Sequence, residues 1–153
     1  MAGPNYAGNI IVNLANLPDF LRKPILKKRM MEFFTLSDEE KKEIINNALE
    51  AGPTIPFPNF SKLFKTWLEI LTTLTEEERE GLFFAYIDEV KRNPQKLITF
   101  NLDGILEIYL TLDEEKKNIL AITIKKILDS FEENDKRRVM LVIPDNAKKY
   151  LNL

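Results

Sequence analysis

The sequence predicts an all-α protein, built as a short α-solenoid-like stack of about three helical hairpins with terminal capping helices. Three observations support this fold class. An acidic stretch typical of a helix start occurs three times, prolines recur at the same spacing, and the intervening segments have apolar residues at i, i+3 and i+4. A compact bundle of six or seven helices is the alternative architecture.

The acidic stretches read TLSDEEKK, TLTEEERE and TLDEEKKN, and they recur with a period of 38 residues. Their first residues are Thr35, Thr73 and Thr111. The prolines at the same spacing are Pro18, Pro56 and Pro94. Because apolar positions also correspond between the units, we predict an internal repeat rather than a chance recurrence of leucine.

We predict a single domain over residues 1–153, with repeat units at about 18–55, 56–93 and 94–131 and a partial unit at 132–153. The period lies between that of tetratricopeptide repeats and those of armadillo and HEAT repeats. Since the tetratricopeptide glycine and alanine positions are not reproduced, the period supports only the generic inference of stacked helical hairpins.

Each unit is predicted to contain two helices. In the middle unit these are FSKLFKTWLEILTTL, which has one apolar face, and EEEREGLFFAYIDEVKRN. NIIVNLANL is predicted as a short helix covering the first hairpin, and DKRRVMLVI as a helix stopped by Pro144 and followed by a DNAKKYL turn. The proline-rich loop AGPTIPFPN is predicted as a packed connection rather than a flexible linker.

The acidic stretches themselves are predicted as helix starts. Ser37, Thr75 and Asp113 can each accept a hydrogen bond from the N–H groups left free in the first turn. Glu40 and Glu78 complete a reciprocal capping box in two units, whereas the third unit has a lysine at that place. Since adjacent carboxylates point in different directions around a helix, no metal site is predicted.

A further acidic motif, FNLDGILE, contains the Asp-Gly pair that occurs in calcium loops. The first and twelfth positions of such a loop would be Thr99 and Leu110, so the essential carboxylates are missing. We therefore predict that Asn101, Asp103 and Gly104 form a turn or irregularity inside the first helix of the third unit.

The composition excludes several kinds of chemistry. The chain has no cysteine and no histidine, which removes disulfides, thiolate nucleophiles, the usual zinc ligands and the usual general base near neutral pH. A net charge of -2 provides no global field that attracts nucleic acid or membranes. We predict no catalytic residue, no cofactor and no metal, and therefore a protein that is not an enzyme.

The sequence also bounds the location of the protein. Its apolar runs, such as ILAITI, are too short to cross a bilayer. Its first residues lack the positively charged region of a signal peptide. A cytoplasmic protein without membrane contacts is therefore expected.

The strongest candidate for a binding surface is the basic stretch FLRKPILKKRMM, which contains no acid. Its candidate residues are Arg22, Lys23, Lys27, Lys28 and Arg29. We expect the bases to face solvent and the apolar residues between them to face the core. Those apolar residues are Leu21, Ile25, Leu26 and Met30. The bases would contact an acidic protein surface or phosphates, unless they are only the solvated side of a terminal hairpin.

A weaker second basic cluster lies near the C-terminus. It comprises Lys136, Arg137 and Arg138, and Lys125 and Lys126 could extend it.

Aromatic residues near the proline-rich loop are candidates of a different kind. Trp67 is predicted as a core residue, with an exposed anchor of a binding site as the alternative. Phe57 and Phe60 would lie beside it in a shallow apolar groove.

Stacked helical hairpins present an extended surface that usually binds another chain. The sequence therefore predicts a non-catalytic adaptor or assembly subunit that binds a helix or peptide of another protein, with the basic stretch attracting an acidic partner. The alternative is a small helical subunit that contacts nucleic acid through the same bases, and a homo-oligomer is left open. A third hypothesis, an enzyme that uses carboxylates alone, would need an enclosed pocket with converging Asp and Glu side chains.

Overall fold

The computed structural model describes residues 6–143 and 145–150, and within these residues the protein is all-α, as predicted. The described part of the chain forms ten α-helices and one 3₁₀ turn, and contains no strand. The helices are α1 (Tyr6–Ala15), α2 (Asp19–Phe33), α3 (Asp38–Ala51), α4 (Phe57–Thr73), α5 (Glu76–Arg92), α6 (Gln95–Ile98), α7 (Leu102–Leu110), α8 (Glu114–Ser130), α9 (Glu133–Val142) and α10 (Asp145–Tyr150). The 3₁₀ turn is Gly52–Thr54.

The chain divides into two compact units, Met1–Trp67 and Leu68–Leu153, which are called the N-terminal and C-terminal units. The boundary between them falls inside α4 rather than at the proline-rich loop. The prediction of one domain spanning 1–153 stays a prediction.

Helix starts recur at the predicted spacing. Helices α2, α4, α6 and α9 begin 38 residues apart, and so do α3, α5 and α8. This agreement concerns where helices begin, which is set by local capping and proline signals. The internal repeat itself stays a prediction.

Both predicted capping boxes are present. Glu40 N donates to Ser37 Oγ over 3.2 Å, and Ser37 N donates to Glu40 Oε1 over 3.3 Å. At the start of α5, Thr75 and Glu78 exchange the same two bonds, both over 3.1 Å. These bonds satisfy N–H groups that the first turn leaves without helical partners.

The prediction that Asp113 caps α8 with its side chain is wrong. Asp113 has the extended backbone of an N-cap residue, but its side chain accepts no capping hydrogen bond. Its Oδ2 atom lies 3.9 Å from Nζ of Lys116, which is the residue three places into the helix. A lysine cannot return the bond that a glutamate gives in a capping box, and its charge attracts the carboxylate instead.

The N-terminal unit is organised around α1, which packs mainly on α3 and also contacts α2 and the 3₁₀ turn. The side chain of Asn59 donates to that of Asn16 over 2.8 Å and so links the start of α4 to the end of α1. Ala51 and Ile55, which flank the 3₁₀ turn, are both buried. The proline-rich loop is therefore a packed connection, as predicted. The main core residues of this unit are Leu14, Leu26, Met30, Phe33, Ile45 and Leu49.

The C-terminal unit is organised around α5, which packs on α8 and α9. Its most buried side chains are Ile70, Leu71, Leu82, Leu120, Ile127 and Leu128.

The helix predicted at the start of the third unit is broken into α6 and α7, where Asn101 Oδ1 accepts a hydrogen bond from Gly104 N over 3.0 Å. This confirms the predicted irregularity. Residues 145–150, predicted as a turn, form the short helix α10, and Pro144 lies outside the described residues.

Candidate functional site

Helix α2 carries the basic stretch, and its buried face differs from the predicted one. The buried residues are Arg22, Leu26, Met30 and Phe33, which recur at intervals of four, four and three. Leu26 and Met30 are therefore buried as predicted. The expectation that Leu21 and Ile25 face the core is wrong, because these side chains are 43% and 40% exposed. The buried stripe is rotated around the helix because it includes Arg22.

The prediction that Arg22 faces solvent and contacts a partner is also wrong, because this side chain is only 1% exposed. Its Nε atom donates to the carbonyl oxygen of Leu14 over 3.2 Å, and Nη2 donates to that of Leu17 over 2.7 Å. Nη1 pairs with the carboxylate of Asp19. These carbonyls lie at and just after the C-terminal end of α1. The last carbonyl groups of a helix have no N–H group of a following turn to bond with. Arg22 is therefore a structural residue that joins α1 to α2.

The other four bases of α2 are exposed. Arg29 lies 3.3 Å from Glu32, in an ion pair whose side chains are about half exposed. Such exposed pairs contribute little and exchange readily with other partners. Within the described part of the chain, Lys23, Lys27 and Lys28 form no ion pair or hydrogen bond. Three positive charges are thus not neutralised by the chain around them.

Large apolar side chains also lie on the exposed part of α2. Phe20 is 75% exposed and Met31 is 40% exposed, in addition to Leu21 and Ile25. Isolated exposed apolar residues are ordinary on protein surfaces, but four on one helix of fifteen residues are more than a solvated helix normally carries. We call the exposed side of α2 the α2 face; its members are Phe20, Leu21, Lys23, Ile25, Lys27, Lys28, Arg29 and Met31.

Sequence reasoning missed Phe20 and misplaced its neighbours, because an arginine within an apolar pattern is normally taken as solvated. One signal was present in the sequence. Leu26, Met30 and Phe33 have helical spacing, and counting back four residues from Leu26 gives Arg22. A buried stripe through these four positions excludes the other apolar residues of the stretch.

The second basic cluster is largely paired with nearby acids. Lys136 lies 2.9 Å from Asp129, and Arg137 lies 3.8 Å from Glu133. The hydrogen bond from Lys136 lowers the pKa of Asp129, and the same bond raises the pKa of Lys136. Lys126 pairs with two glutamates of α5, and Arg138 and Lys125 are exposed. This cluster offers less unneutralised charge than the α2 face.

The aromatic candidates form a ladder along α4 instead of an exposed groove. Phe57, Phe60, Phe64 and Trp67 follow one another with ring centroids 5.5 to 6.1 Å apart. Phe60 is buried, so the prediction that it lies in a shallow apolar groove on the surface is wrong. Phe57 and Trp67 are half-buried, and Trp67 is thus neither a fully enclosed core residue nor an exposed anchor.

The acidic stretches form no metal site in the described structure. No group of three or more carboxylates among the described residues is placed to hold a metal ion. Of the helices in the described ranges, none combines the length and the apolar character needed to span a membrane.

A groove between α5 and α8 was not predicted. It has a volume of about 340 Å³, and its lining residues are Glu77, Glu80, Gly81, Phe84, Ile127 and Ser130. Phe84 is 43% exposed, and its ring packs against that of Phe131 with centroids 5.8 Å apart. The sequence pattern does not reveal the groove because it depends on how two helices distant in the sequence pack.

Comparison of this chain with protein-family models, with curated proteins and with solved structures gives no match.

Proposed function

We propose that this chain is a non-catalytic adaptor or assembly subunit that binds another protein through the α2 face. The observation that carries the proposal is the combination of Phe20, which is 75% exposed, with three lysines that have no acidic partner in the described chain. Burying apolar area would supply affinity, and the positive charges would select and steer an acidic partner. The expected partner segment is acidic and partly apolar, such as an amphipathic helix. We expect the protein to act in the cytoplasm.

Nucleic acid is the alternative partner for the same bases. Phosphate contacts need positive charge, but they do not need exposed phenylalanine, leucine and isoleucine side chains beside it. Exposed aromatic residues can stack on bases, yet α2 has one such ring rather than a series along a groove. The apolar content of the α2 face therefore favours a protein partner.

The first test is affinity capture from the native host with matched variants. K27E/K28E reverses two charges of the α2 face, and K125E/R138E makes the same charge change at exposed positions of the C-terminal unit. F20S removes the most exposed apolar side chain of α2, and L141S is its control, because Leu141 is 84% exposed. The captured proteins are identified by mass spectrometry and are then purified for titration.

The proposal predicts that a captured partner binds K27E/K28E and F20S at least about tenfold more weakly than the original chain, and the two controls within about twofold. Partners that bind all five proteins equally would contradict it. Retention of DNA or RNA that weakens steeply with salt, is lost in K27E/K28E and is unchanged in F20S would instead support the nucleic-acid alternative.

A further inference from the structure

Gly81 lies in the middle of α5, in a conformation that any residue can adopt, and no internal contact explains it. A glycine in a helix interior costs about 0.5–1 kcal/mol relative to alanine. A helix often has glycine where a neighbouring element packs too closely for a larger side chain. That reason does not apply at Gly81, because a Cβ atom added there would have no atom within 4 Å. The glycine therefore leaves space on the outside of α5, at the groove between α5 and α8.

The groove combines this space with an apolar wall. Phe84 lies one helical turn beyond Gly81 on the same side of α5, and Ile127 of α8 forms the opposite wall. A volume of about 340 Å³ is enough for one or two large side chains of a partner. The groove is open to solvent and offers an apolar surface to side chains from outside.

The end of the groove near the start of α5 is acidic. Glu76 and Glu80 both pair with Lys126, at 3.4 Å and 3.2 Å, so that two carboxylates share one ammonium group. These bonds raise the pKa of Lys126 and keep it charged. Glu77 is exposed and has no ion pair among the described residues. An occupant of the groove should therefore combine apolar side chains with positive charge.

We infer that the occupant is the α2 face of a second copy of this chain. This inference deepens the proposed function, on whose α2 surface it rests, by naming the partner. The α2 face has the required chemistry, namely exposed apolar side chains next to lysines without acidic partners. The charge complementarity is between Lys27 and Lys28 on one copy and Glu77 on the other, because Glu77 has no ion pair among the described residues whereas Glu80 is paired with Lys126.

The spacing of the residues on the two helices also agrees. Phe20 and Lys27 are seven residues apart on α2, and Glu77 and Phe84 are seven residues apart on α5, so each pair lies on one side of its helix about 10 Å apart. Antiparallel docking of the two helices therefore places Phe20 over Gly81 and Phe84 while Lys27 reaches Glu77. Antiparallel docking also opposes the two helix dipoles favourably.

Sedimentation velocity over a concentration series from about 10 µM to about 500 µM tests the inference with the purified full chain. The original chain is expected to self-associate, and raising the salt from about 0.05 M to about 0.5 M should weaken this association. K27E/K28E and E77K should each weaken it at least about tenfold. E115K is the matched control, because Glu115 is an exposed glutamate at the same position in the first turn of α8, and it should behave like the original chain.

A mixture of the two weakened variants gives a sharper result. K27E/K28E retains an unaltered groove and E77K retains an unaltered α2 face, so the mixture should form heterodimers at concentrations at which each variant alone is mainly monomeric. Failure of the mixture to associate would overturn the inference, and so would an original chain that stays monomeric at the highest concentration.

G81L places a side chain at the groove, and its Cβ atom would have no atom of the chain within 4 Å. Because leucine is a better helix former than glycine, G81L should be at least as stable to urea as the original chain, while its self-association should be lost. If G81L loses its helical circular dichroism, E77K and the mixture still decide the question. Self-association that survives in G81L and E77K but is lost in K27E/K28E would overturn the groove as the docking site. The α2 face would then remain a binding surface, so the proposed function would stand.

Discussion

The side chain of Arg79 connects α5 to α8, because its Nε atom donates to Oγ1 of Thr123 over 3.0 Å. The same guanidinium donates from Nη1 to the carbonyl oxygens of Leu74 over 3.0 Å and Leu71 over 3.3 Å. Arg79 therefore does in the C-terminal unit what Arg22 does in the N-terminal unit. Each is the fourth residue of its helix, and each satisfies carbonyls eight and five residues earlier in the chain.

Replacing Arg79 should destabilise the C-terminal unit. R79M leaves two carbonyls at the end of α4 and the hydroxyl of Thr123 without this donor, so we expect a loss of about 2–3 kcal/mol in the free energy of unfolding. T123V should lose about 1 kcal/mol, and the double variant should lose less than the two single losses together, by about 0.5–1 kcal/mol. Urea denaturation of the four proteins measures this coupling, and additive losses would show that the bond contributes nothing.

Arg22 and Lys23 are adjacent bases with opposite environments, and they should respond differently to the same change. R22M removes the donor to the carbonyls of Leu14 and Leu17 and should cost about 2–3 kcal/mol in unfolding free energy. K23M removes an exposed lysine without an ion pair in the described chain and should change that free energy by less than about 0.5 kcal/mol. Similar losses in both variants, measured by urea denaturation, would contradict the structural role of Arg22.

The three acidic stretches look alike in the sequence but should differ in stability measurements. S37A and T75A each remove a capping hydrogen bond and should each cost about 1 kcal/mol of unfolding free energy. D113A removes no such bond and should cost less than about 0.5 kcal/mol, from the helix dipole and the distant Lys116. A loss at Asp113 equal to the loss at Thr75, measured by thermal or urea unfolding, would mean that Asp113 does cap α8.

Most of the helix starts could be predicted from signals within a few residues. The burial of Arg22 and the groove at Gly81 could not, because they depend on contacts between different helices. Ser37, Thr75 and the recurring prolines mark helix starts through bonds within a few residues, so the sequence suffices to locate them. The burial of Arg22 depends instead on the carbonyls of a preceding helix, and an arginine is usually exposed. The groove at Gly81 depends on packing between helices some fifty residues apart. Such tertiary contacts leave no local pattern.

Alkaline pH should destabilise the protein partly through Tyr86. Burial raises the pKa of Tyr86 from 10.0 to about 12, because the phenolate loses its hydration there. Below pH 10 the Tyr86 hydroxyl is neutral in both the folded and the unfolded chain, so it does not reduce the free energy of unfolding. As the pH rises from 10 towards 12, the unfolded chain loses this proton first, and the free energy of unfolding falls by at most about 2 kcal/mol. In Y86F the unfolding free energy should therefore fall less over this range than in the original chain.

Urea denaturation at several pH values, with phenolate absorbance recorded on the same samples, checks this prediction. The lysines titrate in both proteins, so their contribution to the pH dependence cancels when the two free energies of unfolding are compared. Identical pH dependence in Y86F and the original chain would contradict the raised pKa.

Site-specific photocrosslinking tests whether this protein binds its partner through the α2 face. A photoreactive phenylalanine analogue at position 20 reports on the α2 face, and the same analogue at position 141 reports on an equally exposed apolar position elsewhere. We predict a covalent adduct from position 20 in the native host, attached to an acidic protein segment, and none from position 141. An adduct to residues of α5 or α8 of a second copy would identify the partner as the chain itself. Adducts from position 141 but none from position 20 would contradict binding through the α2 face.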